Sequence, residues 1–154
     1  MKVSIDHPDE TAELNIVRLV RGEESPDTTV DDTPVEQSHI FTARNEIHQL
    51  TISENIERYI VALVMATREP HRYPDSPLSK WIDVGSSPRG TIGLDKAARA
   101  HAWLQGKTFV DPDDVRAVVH GVIGHRIILS YDALADEVDS HQVIDEILKQ
   151  VAVA

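Results

Sequence analysis

Apolar residues recur along most of this chain at three- and four-residue intervals, the spacing of one buried helical face. The beginning is different: Val3 and Ile5 alternate with Lys2, Ser4 and Asp6, which predicts a short strand ended by His7 and Pro8. A helix follows, with Asp9, Glu10 and Glu13 in its first turns, Leu14, Val17 and Val20 as its apolar stripe, and Gly22 placed to terminate it. No later segment offers that strand a strong partner, so the start of the chain is expected to belong with a domain outside this sequence, with Met1 as an internal residue.

Residues 23 to 38 hold six acids, two prolines, several threonines and no Lys or Arg, a composition expected of a flexible linker. Helical spacing then resumes. Ala43, Ile47 and Leu50 mark one short helix, and Ser53 caps a second whose Ile56, Tyr59, Ile60, Leu63, Val64 and Thr67 form the predicted core stripe. Pro70, Pro74 and Pro77 break the chain into a loop, and Trp81, Ile82 and Val84 lead to an alanine-rich helix from Pro88 that ends at Gly106. Asp111, Pro112, Asp113 and Asp114 start another helix, with Val115, Val118, Val119, Val122 and Ile123 buried. Ile127 to Leu129 has no clear period. Asp139 and Gln142 have capping-box spacing for a last helix that docks through Val143, Ile144, Ile147, Leu148 and Val151. The expected fold is an all-α helical bundle with a short strand and helix in front.

Charge and composition narrow the function. The 154 residues carry 15 Lys and Arg against 26 Asp and Glu, a net charge of −11, which opposes attraction to nucleic-acid phosphates. There is no Cys, hence no disulfide and no thiolate chemistry, and a reducing cytoplasmic setting is expected. The longest apolar runs, such as 59 to 66, fall short of a bilayer span, so no membrane role is expected.

The most informative local feature is Gly85-Ser86-Ser87-Pro88-Arg89. Ser87 is a good N-cap and Pro88 a good first helical residue, which puts Arg89 in the first turn. The helix dipole penalises a cation there by roughly 0.3 to 1 kcal/mol unless an anion lies between it and the helix end. A nucleotide phosphate fits that role.

Other motifs fail on context. Gly106-Lys107-Thr108 imitates a phosphate-binding loop, yet His101 stands where that loop needs glycine and a helix precedes it, so a helix-ending turn is expected. Val143-Ile144-Asp145-Glu146 imitates a magnesium-binding strand but fits a helix better, with its acids on the exposed face. Arg68 and Arg99 are candidates for lid or interface contacts, with a solvent-facing helix position the better reading of each. His125 and Arg126 suit a helix C-terminus, and Asp111, Asp113 and Asp114 suit capping. His120 and His125 are five apart and off a shared face, so no metal site is expected. An adaptor using Trp81 or Trp103 as anchor for a protein partner is the alternative function.

Several segments in order and with consistent spacing resemble the C-terminal helical lid of the MoxR branch of AAA+ ATPases: 41–44, 59–68, 85–89, 97–102, 109–115 and 125–127. The resemblance covers 39 to about 130 well and the last 20 residues more weakly. It implies an AAA+ core remnant at 1–22, an acidic linker at 23–38 and the lid at 39–154. In this family the segment ending in Arg89 is the sensor 2 motif, so Pro88 and Arg89 are implied to contact nucleotide and Arg89 to reach its terminal phosphates. Family members more often carry alanine where Ser86 and Gly90 stand. The resemblance also implies ATP and magnesium in the full-length parent, with the phosphate-binding loop, the acidic magnesium segment and the arginine finger upstream of Met1, so this chain alone is not expected to hydrolyse ATP. The implied partners are the parent's ATPase core, neighbouring subunits of a ring and von Willebrand A domain proteins, in chaperone-like remodelling.

Overall fold

The computed structural model describes residues 1–23 and 34–153. Most of the expected acidic linker, residues 24–33, lies outside the described residues. The helices are α1 (Glu10–Glu23), α2 (Gln37–Gln49), α3 (Glu54–Arg68), α4 (Leu78–Trp81), α5 (Pro88–Leu104), α6 (Pro112–Ile123), α7 (Tyr131–Ala135) and α8 (Ser140–Gln150). Two short strands, β1 (Ile82–Val84) and β2 (Ile128–Leu129), pair antiparallel with Ile82 opposite Leu129 and Val84 opposite Ile128. None of the described helices is long and apolar enough to cross a membrane.

Helix α3 runs through the middle of the core. Its Tyr59, Ile60, Leu63 and Val64 are each at most 2% exposed, so the expected stripe is the buried face. Ser53 caps it by accepting from the Ile56 N–H. Helix α5 turns Leu94, Ala98 and Ala102 inward, all fully buried, and the small alanines let α6 pack closely with Val115, Val119 and Val122. Helix α8 adds Val143, Ile144 and Ile147. Burial of each such branched side chain contributes about 1.5–3 kcal/mol.

The polar start signals act as expected at two helices. Asp111 accepts from the Asp113 and Asp114 N–H groups while Asp114 accepts from the Asp111 N–H, a reciprocal capping box. Asp139 and Gln142 form the second. Each satisfies backbone donors that α6 and α8 cannot satisfy internally.

The front of the chain differs from expectation. Residues 1–9 form no strand, and Val3 and Ile5 are exposed; the Lys2 N–H donates instead to the Gly121 carbonyl at 2.7 Å. Alternation favours an extended chain, but a strand requires a neighbour to take its backbone hydrogen bonds, and no described segment does. The helix after it forms, yet Leu14, Val17 and Val20 are 50%, 45% and 46% exposed, and no residue of α1 is buried. The second helix begins at Gln37, earlier than its apolar spacing indicates. The two-stranded sheet and α7 have no clear signal in the spacing of apolar residues; pairing with β1 is what makes Ile128 and Leu129 a strand.

Candidate functional site

The segment from Gly85 to Arg89 joins β1 to α5 on the surface of this core. Ser87 has the extended backbone of an N-cap, φ −73° and ψ 170°, and Pro88 opens the helix. Contrary to expectation, the Ser87 side chain makes no capping hydrogen bond; the Gly90 N–H closes back on the Ser87 carbonyl at 2.8 Å. With proline supplying no donor, that tight turn leaves the Arg89 N–H at the open end of the helix. Arg89 is exposed, and among the described residues no ion pair or side-chain hydrogen bond engages it. An unpaired guanidinium at the positive end of a 17-residue helix is thus free to meet an anion from outside this bundle.

The residues just before it are held by α3. Ser86 is fully buried, its N–H donates to the Thr67 hydroxyl at 2.9 Å, and its carbonyl accepts from Arg68 Nε. Arg68 therefore is not simply a solvent-facing arginine. Thr67 carried one legible signal: a hydroxyl on the buried face of a helix must find a partner. The position of that partner in the sequence, 19 residues away, was not legible.

Other expectations are corrected by tertiary contacts. Arg99 pairs with Asp95 at 3.1 Å and donates to the Leu50 carbonyl at 2.7 Å, tying α5 to the end of α2. Glu146 is not on the solvated face; it accepts from the Ser76 hydroxyl and the Gln150 amide, both at 2.9 Å. The Gln150 and Ser76 hydrogen bonds, ahead of an opposing effect of burial, hold its carboxyl below the usual range. Trp81 and Trp103 pack on the core and donate through their indole N–H to Asp136 and Glu46, at 3.1 and 2.8 Å. Both indole N–H groups therefore have partners within the chain, while each ring stays half-buried. Arg126 donates to the Val122 carbonyl at 2.9 Å, as its helix-end position indicated.

The phosphate-loop imitation resolves as a turn in which Gly106 has φ 70°. Its Lys107 instead belongs to a buried network missed in the sequence. Asp114, with a fully buried side chain, lies 2.9 Å from Lys107 Nζ and 2.8 Å from His101 Nδ1. Burial pushes the Asp114 carboxyl up, but the Asp111 amide, Lys107 and His101 together offset it and hold it below the ordinary range. Capping thus explains only part of this acidic cluster.

His120 on α6 meets two residues of α8, His141 and Asp145. Asp145 oxygens lie 3.2 Å from His120 Nε2 and 3.4 Å from His141 Nδ1, and the two rings stack with centroids 3.7 Å apart and 14° between planes. Imidazole ligands hold an ion in the ring plane at about 2.0–2.1 Å. Nearly parallel rings in stacking contact cannot both direct a lone pair at one such point, so this arrangement is not a coordination shell. Burial, and then the neighbouring His141, push the His120 pKa down.

Comparison with known proteins places the candidate segment in context. A family model described as the AAA lid domain matches residues 79–147, which include Arg89. Chaperone MoxR1 of Mycobacterium tuberculosis is 38% identical over 112 residues, 73% of this chain and 28% of that protein. Protein MoxR of Methylorubrum extorquens is 37% identical over 86 residues, 53% of this chain and 25% of that protein. A crystal structure described as a "putative ATPase" from Cytophaga hutchinsonii superimposes with a TM-score of 0.90 at 34% identity, over all of this chain and 46% of that one. The chain therefore spans less than half the length of these relatives.

Proposed function

We propose that this chain, which belongs to the MoxR-type AAA+ ATPases and carries their lid, uses Arg89 to contact the terminal phosphates of a nucleoside triphosphate bound to an ATPase core. The observation that carries the reading is Arg89 itself, an exposed and unpaired cation in the first turn of α5, where leading backbone N–H groups have no intrahelical acceptor. Both groups suit an anion, and the helix dipole favours one at that end. Pro88 sets the turn that presents them.

ATP with magnesium, when bound in the parent protein, supplies the phosphoanhydride and the charge that grows on the transferring phosphoryl group. Arg89 acts on that charge electrostatically, already oriented, while the lid helps to exclude water. Its contacts differ before and after hydrolysis, and that difference is what can turn the lid as a rigid body against a neighbouring subunit. Assembly in a ring, chaperone-like remodelling with von Willebrand A domain partners and a cytoplasmic setting belong to the same proposal, supported by family membership. So does the assignment of residues 1–22 to the ATPase core: α1 exposes Leu14, Val17 and Val20, the face such a core would cover.

The test is the ATPase rate of the intact enzyme with Arg89→Ala, after thermal stability and assembly are matched to the unmodified protein. Loss of turnover on the order of 10²-fold is expected, the scale of removing one oriented charge-stabilising donor. Unchanged turnover in an assembled variant would reject the role.

A further inference from the structure

We infer that Thr67 and Arg68 are positioning residues for Arg89, gripping the backbone of Ser86 so that the last turn of α3 determines where the guanidinium stands; this rests on the phosphate-sensing role of Arg89 proposed above.

Ser86 is fully buried and lies outside any helix or strand, so its backbone polar groups must be satisfied by neighbours. Two consecutive residues of α3 provide both partners. The Thr67 hydroxyl, 1% exposed as a residue, accepts the Ser86 N–H at 2.9 Å and donates its own proton to the Val64 carbonyl at 2.7 Å, which leaves the oxygen lone pair aimed at Ser86. Arg68 Nε donates to the Ser86 carbonyl.

Gly85 completes the clasp. A Cβ there would stand 2.3 Å from the Thr67 carbonyl oxygen and 2.8 Å from the Arg68 Cα, so the two backbones touch and only glycine permits it. Residues 85 and 86 are thereby fixed to α3 at three points. Between this clasp and Gly90, which is buried in α5, the chain is lightly held: Ser87 lacks its side-chain cap, and Ser87, Pro88 and Arg89 are exposed. Arg89 inherits its location from Ser86 through three residues of backbone, of which Pro88 restricts one. Loss of the grip leaves the start of α5 free to shift by an ångström or so, enough to weaken an interaction that depends on orientation.

The experiment is a double-mutant cycle on turnover in the intact ATPase carrying this lid. Thr67→Val keeps the shape and removes the hydroxyl; Thr67→Ser restores it; Arg68→Gln, at an exposed side chain, tests the other arm in a variant that folds even if Thr67→Val does not. Each is made with Arg89 and with Arg89→Ala, and matched for assembly. With Arg89 present, Thr67→Val and Arg68→Gln are expected to lower kcat about 10-fold, with Thr67→Ser near the unmodified rate. In the Arg89→Ala background neither should lower it further, because a residue acting through Arg89 has nothing left to act on. A loss of equal factor in both backgrounds, or no loss with Arg89 present, overturns the positioning role while the sensor role stands. Full turnover in Arg89→Ala alone overturns the sensor role, and the positioning role with it.

Discussion

Ser86 and Gly90 touch across the turn that opens α5, and the structure ties any change at one to the other. A Cβ built on Gly90 would lie 2.2 Å from the Ser86 Oγ, about an ångström inside van der Waals contact, and 3.2 Å from the Ile123 Cδ1. The serine hydroxyl occupies the space that an alanine methyl at 90 would take. Gly90→Ala alone therefore sets a helix-propensity gain of about 0.5–1 kcal/mol against an overpacking cost of about 1–3 kcal/mol. The net result is expected to be neutral to about 2 kcal/mol destabilising. Ser86→Ala removes only a long hydrogen bond to the Ser87 carbonyl, 3.5 Å, and should change stability little. In the double variant the propensity gain remains and the severe overlap is gone; the Ile123 Cδ1 at 3.2 Å and the residue-86 Cβ at 3.3 Å still have to give by a few tenths of an ångström, which the flexible end of Ile123 does readily. A gain of about 0.5–1 kcal/mol is expected, or about 2–4 °C in Tm per kcal/mol for a chain of this size. The assay is urea and thermal unfolding of all four members of the cycle, with a coupling of about 1–3 kcal/mol between the sites. If Gly90→Ala raises Tm as much with Ser86 in place as in the Ser86→Ala background, the steric reasoning is wrong.

The buried network at Asp114 gives a further prediction. Asp114→Asn removes the charge that holds Lys107 and His101, and it should cost about 2–3 kcal/mol in urea unfolding. Because the folded-state pKa of Asp114 is lowered, its contribution is complete above about pH 4 and lost as the pH falls through the folded value, so wild type and Asp114→Asn should converge in acid. His120 acts at milder pH. Burial, then the stacked His141, lower its pKa against the opposing pull of Asp145 and Asp139, so its neutral form is the stabilising one. That stability is complete above about pH 6.5 and is lost as the pH falls below it, so Tm should decline from there and the decline should be shallower in His120→Phe. His125, also lowered by burial and then by Arg126, leaves part of the slope in that variant. An identical slope in both proteins would exclude His120 as its source.

Much of this molecule is written locally. The three-four spacing from Ile56 to Thr67, the capping residues Ser53, Asp111 and Asp139, and Pro88 at a helix start act through atoms within a turn of one another, so their consequences are visible in the sequence. Arg89 at the head of α5 was legible for the same reason. What depended on distant partners was not. The alternation of Val3 and Ile5 expresses only a preference for extension, and without a neighbour to pair with it yields no strand. Ile82 and Val84 have little more alternation than Val3 and Ile5, yet they form β1 because Leu129 and Ile128 arrive beside them. The Thr67 grip on Ser86, the Arg99 tie to Leu50, the burial of Asp114 between Lys107 and His101, and the hold of Asp136 on Trp81 all join residues that share no helix or strand. The sequence by itself determined the core helices α3, α5, α6 and α8, where they start and which faces they bury, because those are decided by short-range backbone and solvation energies. Only the tertiary structure decided which polar side chains are spent inside the fold and which, like that of Arg89, remain free, because that depends on what the packing of distant segments brings within a hydrogen-bond length.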